Sequence, residues 1–116
     1  MPRKMFTPVV LVLSLFLTGV GIGSAVAQSS PALRGEAIAM RLCARCHATG
    51  MTDDSPVGRA PAFRDLSKRY PVEHLAEALA EGIVTGHSGM PQFTFDPDEI
   101  DAFLSYLRGL SRQQRE

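Results

Sequence analysis

Four stretches of the chain carry a regular hydrophobic pattern, and segments rich in glycine and proline separate them. The first, from Val9 to Gly23, is an apolar run without a charge. In the second, Gly35, Ile38, Ala39, Leu42, Cys43 and Cys46 recur at the i, i+3, i+4, i+7 spacing of one helical face. Ser30 as cap and Pro31 in the first turn supply its start, so a helix is predicted from there into the cysteines. Arg34, Arg41 and Arg45 lie off the apolar face. The third stretch opens at Pro71 and sets Val72, Leu75, Leu79 and Ala76 or Ala80 against an acidic stripe of Glu73, Glu77 and Glu81, with Gly82 as its stop. Like charges at i, i+4 weaken a helix slightly, so this one depends on its packed face, and His74 beside the stripe reads as a solvated histidine. The fourth begins at Asp96-Pro97-Asp98-Glu99, a cap, a helix-opening proline and a capping-box partner. Ile100, Phe103, Leu104, Leu107 and Leu110 follow at helical spacing, Arg112 and Arg115 suit the carboxyl end, and residues 113–116 are expected to fray.

No strand-helix alternation and no internal repeat occur, and the regular segments of the domain read as helices, so the expected fold class is all-α. Residues 48–70 read as loop, punctuated by Gly50, Asp53-Asp54-Ser55-Pro56, Gly58 and Pro61, with a short helical turn around residues 64–70. A loop of that length is expected to be functional, here by wrapping a cofactor edge.

The basic start (Arg3, Lys4), the apolar run and Ala25-Val26-Ala27 before Gln28 form a secretory signal peptide over residues 1–27. The apolar run is shorter than the roughly 20 residues of a spanning helix, so the expectation is cleavage, export to the periplasm and no stable membrane insertion afterwards. The remaining domain, residues 28–116, keeps all 12 acidic residues of the chain but loses two of its 12 basic ones. That balance argues against nucleic-acid binding and predicts only modest electrostatic steering of partners. So short a chain buries little core of its own, and a bound group would supply apolar contact.

Such a group is indicated by Cys43-Ala44-Arg45-Cys46-His47. Two thiols a helical turn apart suit addition to two vinyl groups on one porphyrin edge, and the following imidazole falls under the iron as proximal ligand. A thioredoxin-like pair would need a βαβ context. A zinc site would need two more ligands, and only His74 and His87 remain. A disulfide across two intervening residues closes a tiny loop. One covalently attached haem c is therefore expected at Cys43, Cys46 and His47.

Gly86-His87-Ser88-Gly89-Met90-Pro91 carries two candidates for the sixth iron position. Met90 is favoured, because a thioether stabilises ferrous iron and a polar, glycine-flanked turn is an odd place for a core methionine. His87, an open site, Met51 and Met40 are the alternatives. Arg59, Arg64, Lys68 and Arg69 are candidates to pair with haem propionates, or else are simply solvated.

With these residues in place, the chain resembles the small bacterial class I cytochromes c over nearly all of residues 28–116. The resemblance implies three main helices and loops wrapped around one haem. It assigns the Pro61 carbonyl, in Ala60-Pro61-Ala62-Phe63, to accept from the His47 ring. It makes Gly89-Met90-Pro91 the distal ligand loop and sets Gly35 against Tyr106 where the first and last helices cross. Ala39 departs from the larger residue common in that family, and the lysine-rich face of the mitochondrial carrier is absent. The implied function is one-electron transfer between redox partner proteins, without catalysis, by a monomer. The rivals are a cytochrome subunit dedicated to one dehydrogenase or oxidase, and a sensor or peroxidase-like protein with an open or His87-ligated sixth position.

Overall fold

A computed structural model describes residues 29–83 and 89–116. The leader reading of residues 1–27 and the candidate ligand His87 lie outside these residues. Helix α1 spans Pro31–Leu42, α2 Leu75–Glu81 and α3 Pro97–Gln113, with 3₁₀ turns at Phe63–Lys68 and Val72–His74. Among the described residues there is no strand, and no helix is long and apolar enough to cross a membrane.

The ends of α1 and α3 are set by local chemistry. Ser30 Oγ accepts from the Leu33 N–H at 3.3 Å, supplying one of the donors a helix start leaves unpaired. At α3 the Glu99 carboxylate reaches back to the Asp96 N–H at 3.1 Å, and Pro97 opens the first turn. The α2 region starts later than its pattern predicts. Residues 72–74 form a 3₁₀ turn, no side chain caps the helix, and Gly82 ends it at φ 99°. Two α-helical turns of this acidic segment persist because Val72 and Leu79 are buried. Glu73 also binds Arg108 of α3 at 2.9 Å, although an exposed pair of this kind contributes little. His74 is exposed, as its position beside the acidic stripe predicts.

The core lies between α1 and α3, the pair with the most extensive packing. Ile38 and Ala39 face Ala102, Phe103, Leu104 and a completely buried Leu107, and Phe63, Leu66, Val72, Leu79, Phe95, Ile100 and Leu110 close it. At the crossing, a Cβ on Gly35 would overlap the Ala102 carbonyl oxygen and come within 2.8 Å of Tyr106 Cβ. The glycine therefore carries the close approach of the two helices, with the backbone of Ala102 as its nearest neighbour and Tyr106 next.

Tyr106 also reaches past the crossing and donates its hydroxyl to the Thr49 carbonyl at 2.6 Å. Burial, with Glu36 and Asp53 nearby, pushes this phenol above its ordinary value of 10.0. The folded chain thus holds the proton more tightly than the unfolded one. The stabilisation is complete below pH 10.0 and fades as pH climbs through the raised value. Tyr106→Phe should cost about 1 kcal/mol at neutral pH and flatten part of the alkaline loss, read from urea midpoints across that range.

Candidate functional site

The last turn of α1 carries its helical course into the cysteine motif. Cys43 N–H bonds the Ala39 carbonyl and His47 N–H the Cys43 carbonyl, both at 2.9 Å. Cys43, Cys46 and His47 are therefore presented within about one turn that continues the coil of α1, each half-buried. The two cysteines are not bonded to each other. Burial, reinforced by Cys46, pushes the Cys43 thiol up to about 11, so it stays protonated at neutral pH.

His47 Nδ1 lies 2.8 Å from the Pro61 carbonyl oxygen. A carbonyl can only accept, so Nδ1 carries a proton and donates it to Pro61, which leaves Nε2 as the ring nitrogen available to a ligand. The imidazole is thus fixed in the tautomer that can ligate through Nε2. Phe63 tilts against the same ring, with centroids 5.1 Å apart. From there a row of aromatic contacts runs inward, Phe63 to Phe103 at 5.7 Å, Phe103 to Phe95 at 5.8 Å and Phe95 to Phe93 at 6.3 Å.

That row ends three residues after Met90. The base of the methionine segment is pinned, since Ile83 N–H bonds the Phe93 carbonyl at 3.1 Å and Phe95 N–H the Leu79 carbonyl at 2.8 Å. Gly89 adopts φ 100°, a conformation open to glycine. Met90 is half-buried while Gly89 and Pro91 on either side are exposed. Of the two weaker methionines, Met40 is 58% exposed and its sulfur accepts from the Thr49 hydroxyl at 3.2 Å. Met51 packs half-buried against the core.

The structure brings Cys43, Cys46, His47 and Pro61 together. Two cysteines about one helical turn apart, an imidazole held through Nδ1 with Nε2 left for another partner, and an aromatic wall suit a covalently tethered iron porphyrin. Among the described residues no three His, Cys, Asp or Glu side chains converge on a metal position, so the zinc alternative finds no further ligands there.

Two of the four basic residues named with the propionates make protein partners in the fold. Arg64 Nη1 donates to the carbonyls of Gly50 at 3.1 Å and Asp53 at 2.8 Å, and Lys68 binds Asp65 at 2.7 Å. Both are committed to protein partners, while Arg59 and Arg69 are exposed. The reason is proximity: the turn at Phe63–Lys68 lies against the loop that follows His47. Asp53 carries an unexpected share of that loop, accepting from the N–H groups of Thr49 and Gly50, each at 2.9 Å. In the sequence, Asp53-Asp54-Ser55-Pro56 signals only a turn, and nothing there marks which backbone groups the carboxylate will hold.

Comparison with known proteins gives one family match. The model of the family described as "Cytochrome C oxidase, cbb3-type, subunit III" matches residues 30–107, which includes every described site residue named above. No curated protein and no solved structure matches the chain.

Proposed function

From the premise that this chain belongs to the cbb3-type cytochrome c oxidase subunit III family, a family of monohaem class I cytochromes c, we propose that it is a periplasmic one-electron carrier. His47 and Met90 would be the residues that hold its haem iron. All-α architecture, covalently bound haem c and a role in haem-based electron transfer follow from the family itself. The finer reading is ours.

The observation that carries it is the 2.8 Å contact between His47 Nδ1 and the Pro61 carbonyl. In this reading Cys43 and Cys46 become the thioether tethers. His47 ligates through Nε2, its ring fixed by Pro61, because a ligating imidazole held by a hydrogen bond at its other nitrogen is both oriented and made more basic. Met90 would supply the second protein ligand, and its thioether would favour the ferrous state. When bound, the haem supplies a couple that accepts and gives up a single electron. The chain's own work is to keep the same ligands in both states and to exclude water with Phe63, Phe95 and Phe103. No group is required to move a proton for turnover, so the protein is read as a carrier and not an enzyme.

The leader over residues 1–27 supports export, which is where haem would be attached. The domain over residues 28–116 then works outside the cytoplasm, with no stable membrane insertion. Its donor and acceptor are redox proteins. The family's description names an oxidase subunit, and this favours a second reading in which the chain serves one enzyme as a dedicated subunit. Stoichiometric co-purification with a larger redox enzyme would select that reading over a free shuttle.

Intact mass spectrometry of the exported protein tests the proposal. The expected species begins at Gln28 and carries the mass of one haem, and the double variant Cys43→Ser, Cys46→Ser loses it. Bare polypeptide in the parent overturns the reading.

A further inference from the structure

Two chain segments, residues 47–53 and 61–64, are laced together around His47. The His47 ring donates to Pro61 at 2.8 Å, and the Phe63 N–H returns to the Ala48 carbonyl at 2.9 Å. The third tie is made by a side chain. Arg64 Nη1 bonds the carbonyls of Gly50 and Asp53 at 3.1 and 2.8 Å, with the Asp53 carboxylate 3.6 Å away. That carboxylate is anchored in turn by the Thr49 and Gly50 N–H groups, and Tyr106 of α3 holds the Thr49 carbonyl. Only 20% of the Arg64 side chain is exposed. A mostly buried guanidinium spent on two backbone carbonyls is built to hold the loop. Charge-assisted bonds of this kind are the strong ones.

We infer that Arg64 is a positioning residue for the redox site: by tying Gly50 and Asp53 to the segment that begins at Pro61, it keeps the Pro61 carbonyl on the His47 ring. This rests on His47 being the proximal ligand. The bond to Pro61 makes the imidazole a stronger donor, and a stronger donor favours ferric iron. Loosening the lacing therefore raises the midpoint potential. The cationic charge of Arg64 acts in the opposite sense. A positive charge disfavours the ferric state, so its removal alone lowers the potential.

The opposed signs make the test decisive. Arg64→Lys keeps the charge but replaces the planar fork with a compact ammonium of different reach. In the haem-loaded protein, the potential of Arg64→Lys should rise. The Nδ1 proton of His47, followed by NMR in the ferrous state, should exchange with solvent at least about tenfold faster, the change expected from losing one charge-assisted hydrogen bond. If Arg64→Lys does not accumulate, Arg64→Gln is read by proton exchange alone, which the charge change does not confound. An unmoved or lowered potential in Arg64→Lys, or an unmoved exchange rate in either variant, overturns the inference, even if stability falls. A parent protein whose His47 ring shows no iron-ligated resonances overturns both the ligand reading and this inference.

Discussion

Gly35→Ala is expected to be among the most damaging single substitutions in the chain, although it adds one methyl group. An ideal Cβ at that position overlaps the Ala102 carbonyl oxygen and lies 2.8 Å from Tyr106 Cβ. Backbone cannot rotate aside as a side-chain tip can, so α1 and α3 must separate along their whole contact. Overpacking of a tight core costs about 1–3 kcal/mol. A clash with backbone belongs at or above the upper end, against a total stability of roughly 5–15 kcal/mol for a domain. Separation would also pull Ile38 and Ala39 off Phe103 and Leu107 and drag the Thr49 loop from Tyr106. The expected result is a sharply lower denaturation midpoint and a poor yield of haem-bearing protein. Gly109→Ala, in α3, is the control. Its Cβ would meet only the Arg112 side chain, at 4.0 Å, so it should gain about 0.5–1 kcal/mol from helix propensity. Equal effects from the two substitutions would remove the close crossing from the account.

The same pair of helices marks how far the sequence alone could be read. Ser30-Pro31 and Asp96-Pro97 with Glu99 are local signals, each acting within one turn of its own helix, and both helices begin where these signals lie. The late start of α2 was hidden because Pro71 brings no capping side chain, and the two turns that survive do so through Val72 and Leu79, a tertiary cause. At the site, Cys43, Cys46 and His47 were legible because the chemistry fixes residue type and spacing together. Pro61 and the Gly35–Tyr106 crossing came only through resemblance, since nothing in their local pattern names a partner. The roles of Arg64 and Asp53 in the loop are not legible for a related reason. Their partners are backbone carbonyls and N–H groups of a loop, which have no letter in the sequence, so an arginine three residues past Pro61 looked like any other solvated or propionate-pairing cation.

Met90→Ala should produce the largest functional change while leaving the fold in place. The segment around it is held by Ile83 N–H to Phe93 and Phe95 N–H to Leu79, and by Phe93 and Phe95 packed on the core, so removing a half-buried side chain at 90 leaves those ties intact. What is removed, if Met90 is the axial ligand, is a thioether that stabilises ferrous iron more than ferric. The replacement would be water, His87 or an open position. None shares the thioether's preference for the ferrous state, so the midpoint potential must fall. Axial ligands command a span of roughly 0.8 V, and a drop on the order of 0.1 V or more is expected. The weak sulfur-to-ferric-iron absorption band in the red should disappear, and the reduced protein should bind carbon monoxide quickly where the parent does not. An unchanged spectrum and potential would transfer the ligand role to His87, to be tested by His87→Ala. Rapid carbon monoxide binding by the parent itself would point instead to an open site, and the carrier reading would give way to a sensor or peroxidase-like one. The absorption band, and not the sign of the potential shift, separates ligation from packing: a methionine that merely fills space near the haem lets water in when removed and also lowers the potential, but it takes no charge-transfer band with it.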